Sequence, residues 1–212
     1  MLAISGTLFA GDDATMSAMP WREPVKPAGS GVKLTYDDFV LFPDDGKRHE
    51  LIDGEHYVTP SPNMRHQLIC SDVFGSIWSY LQTKPGGLVL HAPSDVVLSH
   101  FDVVEPDILY ISQETAARVV TPQNVRGAPD LVIEVASPGT RRRDATVKYD
   151  LYERQGVAEY WIVDPYANVV RVYRSEEGRF KAAIELSRDA GDVLTTPLLP
   201  GYELALTRLF GE

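Results

Sequence analysis

Between Glu105 and Tyr152 the chain places an Asp on one apolar strand, a Glu inside a second, and a Lys one short helix later. Asp107 stands in Glu105-Pro106-Asp107-Ile108-Leu109-Tyr110, Glu134 inside Asp130-Leu131-Val132-Ile133-Glu134-Val135-Ala136, and Lys148 at the head of Lys148-Tyr149-Asp150-Leu151-Tyr152. A charge inside an apolar strand is costly unless something pairs with it. A fold that buries these strands therefore has to bring the charges together, and two neighbouring strands followed by one short helix do so. Two carboxylates and a lysine in one place suit metal-assisted phosphodiester cleavage. The carboxylates hold a hard divalent cation, and the lysine steadies a water or the developing charge.

The rest of the chain reads as a frame around that stretch. Residues 1–31 are rich in Gly, Pro, Ser and Asp without periodicity and are expected to form a tail, leaving 32–212 as one domain. Met1 to Ala10 lacks a basic n-region and reads as a leader rather than a signal peptide, with Met16 and Met19 as alternative starts. Thr35 is a candidate N-cap for a short helix, and Asp53-Gly54 between Glu50-Leu51-Ile52 and Glu55-His56-Tyr57-Val58 signals a hairpin. Ile69, Val73 and Ile77 recur every four residues, which predicts an amphipathic helix over about 64–83. Leu88 to Leu90 and Asp95 to Leu98 read as short strands or one interrupted strand. Val103 to Ile111 and Leu131 to Ala136 are apolar on both faces, so they are expected centrally in a covered sheet. A helix over 142–155 with Gly156 as its C′ residue, a buried strand at Glu159 to Asp164, and antiparallel strands beyond complete the order. This predicts an α/β (α+β) fold with a mixed central sheet flanked by helices and extra hairpins at both ends.

Composition narrows the chemistry. One cysteine, Cys70, excludes an internal disulfide framework and a cysteine-based zinc site, so a reducing, cytoplasmic setting is expected. Cys70 itself reads as a small core residue. The formal charge of −10 argues against a large basic footprint on nucleic acid, yet not against an enzyme whose cations offset acidic residues in a cleft. No run is long enough to span a membrane.

Several phrases then point to a family. The order of Asp107, Glu134, a helix and an apolar strand resembles the PD-(D/E)XK nuclease superfamily, with Pro106-Asp107 as its "PD". His49-Glu50-Leu51-Ile52-Asp53-Gly54-Glu55, Gly127-Ala128-Pro129-Asp130-Leu131-Val132-Ile133-Glu134-Val135, Ser137-Pro138, Arg143-Asp144 and Gly156-Val157-Ala158-Glu159-Tyr160-Trp161-Ile162-Val163-Asp164-Pro165 resemble its Uma-two-like restriction endonuclease branch. Pro197-Leu198-Leu199-Pro200-Gly201 fits as well, so the likeness runs over about 34–210. One position departs from the superfamily's name motif: Ala136 stands where it has lysine. The resemblance implies that this role lies on the following helix, at Lys148. It also implies a restriction-endonuclease-like core.

Each candidate has a structural alternative. Asp107 and Glu134, with the backbone carbonyl of Val135, would hold Mg²⁺ or Mn²⁺; otherwise Asp107 is a solvent-facing strand end and Glu134 a structural salt bridge. Lys148 would position the attacking water; otherwise it forms a surface pair with Asp144, worth about a few tenths of a kcal/mol. Glu50 matches the family's first acidic position; otherwise it is an exposed hairpin charge. Glu55 and His66 are weaker candidates, and the Arg141-Arg142-Arg143 run either contacts phosphates or is a solvated face. Tyr160 and Trp161 read as core. The expected activity is a divalent-metal-dependent DNA endonuclease working as a homodimer, since cutting two strands with one site per chain favours two-fold symmetry. The rivals are an inactive interaction protein on a nuclease fold, with Tyr160 and Trp161 as apolar surface where unburied, and a hydrolase of RNA or small phosphodiesters.

Overall fold

The computed structural model describes residues 31–59 and 61–211. The tail expected over 1–31 lies, up to residue 30, outside the described residues. A short helix α1 (Tyr36–Phe39) starts at Thr35, whose side chain and that of Asp38 form a reciprocal capping box. The hairpin β1 (Arg48–Ile52) and β2 (Glu55–Thr59) turns through Asp53 at φ 53° and Gly54 at φ 75°, the left-handed pair that a two-residue turn requires. Helix α2 (Met64–Thr83) is capped by Asn63 and buries Ile69, Val73, Ile77 and Leu81, as the four-residue spacing predicts.

The predicted strand over 103–111 is two strands in two sheets. Strands β3 (Gly87–His91), β4 (Val96–Ser99), β5 (Asp102–Val104) and β6 (Ile108–Ser112) follow in order, and Glu105-Pro106-Asp107 is the crossing between the last two. Pro106 supplies no N–H, so a ladder could not run through it. Leu88 to Leu90 and Asp95 to Leu98 likewise fall in different sheets, in β3 and β4. Gly87 opens β3 because a side chain there would meet the Ile111 carbonyl oxygen at 2.3 Å. Helix α3 (Gln113–Val119), β7 (Val125–Arg126) and β8 (Leu131–Val135) come next.

The helix expected over 142–155 is composite. It comprises α4 (Arg141–Arg143), a π-helical stretch at Asp144–Lys148, and α5 (Tyr149–Arg154). Such π stretches are uncommon and gather at functional sites. The chain ends with β9 (Glu159–Asp164), β10 (Val169–Glu176), β11 (Arg179–Phe180), β12 (Ile184–Ser187), β13 (Val193–Leu194), β14 (Leu204–Ala205) and α6 (Leu206–Phe210).

One sheet runs β2-β1-β5-β4-β7; the larger runs β11-β10-β9-β8-β6-β3, with β12 on β10. The larger sheet is mixed, β8 pairing parallel with β9 and antiparallel with β6. Strand β8 is buried along its whole length. Leu131, Ile133 and Val135 face α2 in one core cluster; Val132 and Ala136 join Leu151 and Tyr152 of α5 in another. Period-two alternation places Glu134 on this second face. The smaller sheet packs Leu51, Val97 and Val103 under Tyr36, Phe39 and Phe42, while Ile52, Val96 and Val104 enter the second cluster. The gap between the two sheets, at the Glu105-Pro106-Asp107 crossing, is where polar residues enter the interior. Among the described residues no helix is long and apolar enough to cross a membrane.

Candidate active site

The crossing, the end of β8, the start of β1 and the π-helical stretch enclose a cavity of about 210 Å³. Glu50, Glu105, Asp107, Glu134 and Asp144 line it, facing Arg48, Arg143 and Lys148. The four candidates Glu50, Asp107, Glu134 and Lys148 thus share one enclosure, each 5 % exposed or less. The alternative that made Glu50 an exposed charge does not hold, nor does the surface Asp144–Lys148 pair, because all of these side chains are buried.

Lys148 Nζ donates to Glu134 Oε1 at 2.8 Å and lies 2.8 Å from Glu50 Oε1. Tyr152 Oη donates to the same Glu134 oxygen at 2.8 Å. Both donors use Oε1, and Oε2 makes no hydrogen bond among the described residues. Burial, with Asp107 and Glu50 nearby, holds the Glu134 pKa above its ordinary value despite the attraction of Lys148. For Glu50, burial acts upward too, but Lys148 and Arg143 outweigh it and the shift is downward. Burial would strip the proton from Lys148, yet Glu134, Glu50 and Asp144 reverse that, and the ammonium is held above its usual range.

Asp107 meets three donors. Its Oδ1 accepts from Arg48 Nη1 at 2.8 Å; its Oδ2 accepts from the Val135 N–H at 2.9 Å and lies 3.0 Å from His66 Nε2. Burial would raise its pKa, but His66 and then Arg48 more than offset this and hold the carboxyl below the usual carboxylate range. Cys70 Sγ lies 3.4 Å from His66 Nδ1. Burial pushes the Cys70 thiol upward. Cys70 is thus a polar contact of this histidine as well as a half-buried core residue. The contact made by Val135 is its N–H.

Two acids carry orphaned oxygens. Neither oxygen of Asp144 and not Oε2 of Glu105 makes a hydrogen bond of ordinary geometry among the described residues, although all three atoms are buried and Thr140 lies close enough to Asp144 to act on its pKa. Burial, reinforced by Glu134, pushes Asp144 up to about 8; burial, reinforced by Asp95, pushes Glu105 up to about 7. Five carboxylates face three permanent cations here. A divalent cation matches that excess and suits all-oxygen donors, so the site fits Mg²⁺ or Mn²⁺. His66, Cys70 and Asp107 also present ligand atoms within 4.8 Å of one another. A protonated thiol is a poor metal ligand, which favours the carboxylates.

The remaining candidates divide, Arg143 lining the cavity and Glu55 not. Glu55 accepts from Tyr57 Oη at 3.0 Å and does not line the cavity. Arg141 pairs with Asp164 at 2.5 Å, and Arg143 pairs with Glu50 at 3.4 Å and donates to Thr59 at 2.6 Å. Only Arg142 of that run is exposed, so the run is not a solvated face, and Arg143 lines the cavity. Tyr160 and Trp161 are fully buried and offer no surface. Arg48, His66 and Asp144 were not among the predicted catalytic or metal residues, although His66 was noted as a weaker candidate. Arg48 had a legible signal: it sits two residues before Glu50 on a strand, hence on the same face. Asp144 had one too, four residues before Lys148 on the same helix.

Comparison with known proteins agrees with this architecture. A sequence model of the family described as "Uma2: Putative restriction endonuclease" matches residues 36–207. A solved structure described as a putative nuclease belonging to DUF820 from Anabaena variabilis ATCC 29413 superposes with a TM-score of 0.71 at 20% identity, covering 84% of this chain and 97% of that one. At that identity the likeness establishes the shared fold. No curated protein matches the chain.

Proposed function

Because the chain belongs to the Uma2 family of putative restriction endonucleases, we propose that it is a divalent-metal-dependent endonuclease that hydrolyses phosphodiester bonds of DNA. The observation that carries this reading is one enclosure in which Asp107, Glu134, Glu50 and Lys148 meet beside orphaned carboxylate oxygens. Asp107 and Glu134 would hold Mg²⁺ or Mn²⁺, with the Val135 backbone beside them and Glu50 as a further acid. Bound there, the cation supplies Lewis-acid polarisation of a phosphoryl oxygen and a lowered water pKa.

The protein's own groups do the rest. Lys148 keeps its proton between Glu134 and Glu50, so it orients a water by donating to it and offsets charge that grows on the phosphate. Tyr152 holds the Glu134 carboxylate in one rotamer, which leaves Oε2 directed away from both donors. His66 and the Val135 N–H lock Asp107 in the same way. We take residues 32–212 as one nuclease domain, acting in the cytoplasm as a homodimer so that two sites reach two strands.

The test is cleavage of supercoiled plasmid and of short single-stranded DNA with Mn²⁺, Mg²⁺ or EDTA, wild type beside Glu134→Ala. The expected result is metal-requiring cleavage that vanishes in the variant. Metal-dependent cleavage that survives both Glu134→Ala and Asp107→Ala would sink the assignment. Competition by RNA or by small phosphodiesters distinguishes those substrates.

One observation favours a non-catalytic interaction protein: Met64, Leu68 and Trp78 are 66%, 54% and 50% exposed along α2. Mn²⁺ separates the two readings, since a competent site is stabilised by RT ln(1 + [Mn²⁺]/Kd) and an inert fold is not.

A further inference from the structure

The cavity at Glu134 meets a second one at Asp107. The second is larger, about 460 Å³, and is bounded by Lys47, Gln67, His91 and Pro93. Arg48, His66, Glu105 and Asp107 are among the residues that line both, with Thr59, Ser61 and Pro62 beside them. Arg48 is the long cationic side chain among them. Its Nη1 reaches Asp107 Oδ1 at 2.8 Å and the Glu105 carbonyl at 3.5 Å, and its side chain is 19% exposed.

Oδ2 of Asp107 meets two donors and Oδ1 meets the guanidinium of Arg48, so a cation that approaches this carboxylate through Oδ1 comes up against a positive charge already there. The Val135 N–H is fixed in a central strand, and His66 is held from behind by Cys70. Arg48 is the donor whose charge an incoming cation duplicates, and like charges on one carboxylate repel strongly in a buried site. The adjoining cavity gives its guanidinium somewhere to go. Lys47 borders that cavity as well, exposed and paired with Asp45 at 2.9 Å.

We propose that Arg48 is a two-position residue. Without metal it is the counter-charge of Asp107; with a divalent cation at the carboxylates it turns into the 460 Å³ cavity and there binds a phosphate of the strand flanking the scissile bond. Guanidinium suits that second role because its planar fork matches phosphate oxygens. Metal and nucleic acid then bind cooperatively, each favouring the displaced arginine, and the coupling is reciprocal. This inference rests on the metal-dependent nuclease reading.

The experiment is a calorimetric titration of Mn²⁺ into the full chain without nucleic acid, for wild type, Arg48→Gln and Arg48→Lys. Removing the competing charge is expected to tighten Mn²⁺ binding about tenfold in Arg48→Gln, while Arg48→Lys stays within about twofold of wild type. A phosphorothioate oligonucleotide is expected to bind wild type more tightly with Mn²⁺ than with EDTA, and Arg48→Gln is expected to lose that gain. Equal or weaker Mn²⁺ binding by Arg48→Gln overturns the two-position role and leaves the nuclease reading standing. Failure of wild type to bind Mn²⁺ overturns both. Should Arg48→Gln not fold, the Arg48 Nε–H resonance of wild type, assigned with Arg48→Lys, carries the test. It is expected to shift with Mg²⁺, and an unmoved signal at saturation overturns the proposal.

Discussion

Asp102 and Glu134 are both buried carboxylates near the meeting of the two sheets, and they do opposite things. Asp102 has a donor for each lone pair it turns inward. The Asp53 N–H at 2.8 Å and Arg154 at 2.5 Å reach Oδ1; Ser99 at 2.6 Å and Gln155 at 3.1 Å reach Oδ2. It ties the hairpin turn, β5 and the end of α5 into one joint. Glu134 has its donors on one oxygen only, and it shares its enclosure with other acids that raise its pKa. Glu159 follows Asp102's pattern, taking Trp161 at 2.6 Å, Thr196 at 3.0 Å and Arg174 at 3.2 Å. Burial of a carboxylate therefore does not mark a site. A buried carboxylate with an open coordination position and like-charged neighbours does, because such an arrangement opposes folding unless something positive can enter.

The comparison breaks most visibly at Glu134. Glu134→Gln is expected to lower metal-dependent DNA cleavage by about a thousandfold, on the scale of losing one electrostatic stabiliser, while the melting temperature holds or rises. A fall in melting temperature of the size seen at a structural joint would place Glu134 with Asp102. Asp102→Ala supplies the opposite case. Its loss strands Arg154, Gln155 and the turn, and about 2–3 kcal/mol of stability is expected to go by urea unfolding, with the folded fraction still binding Mn²⁺ as wild type does. Lost metal binding in folded Asp102→Ala protein would erase the distinction.

A third effect sharpens it through pH. The Asp144 carboxyl is raised to about 8 in the folded chain, so the folded state holds a proton that the unfolded state releases in the ordinary carboxylate range. Its contribution is fully present below that range and is lost as pH rises through about 8. Asp144→Asn keeps the shape without the proton to lose. Relative to wild type it is expected to gain about 2–3 kcal/mol between pH 6 and pH 9, since each pH unit below about 8 is worth about 1.4 kcal/mol. Parallel stability curves for the two proteins over that window would show that Asp144 is not a strained member of the cluster.

Much of the site was legible before any coordinates. Glu134 announced itself because a charge between Ile133 and Val135 has to be answered, and Asp107 and Lys148 followed from the elements on either side. Arg48 and His66 were harder. Their segments are ordinary taken alone, a hairpin strand and a capped helix start, and nothing local says that both converge on Asp107. The strand expected over 103–111 failed for another reason. Val103-Val104 and Ile108 to Ile111 are apolar on either side and read as one run, although Pro106, which supplies no N–H, marked the break where the chain leaves one sheet at Val104 and joins another at Ile108.

By itself the sequence determined the elements and the cost of their charges: the four-residue spacing of α2, the Asp53-Gly54 turn, the otherwise apolar β8 and the carboxylate within it. These are local, since propensity and patterning act over a few residues. Only the tertiary structure decided that Glu50 is buried rather than exposed, that Arg141 and Arg143 are spent on Asp164 and Glu50, and that Arg48 stands between two cavities. Those outcomes depend on which charges meet across the gap between two sheets. Electrostatic pairing is settled by distance in space, and residues such as Arg48 and Asp107 become neighbours only when the sheets close.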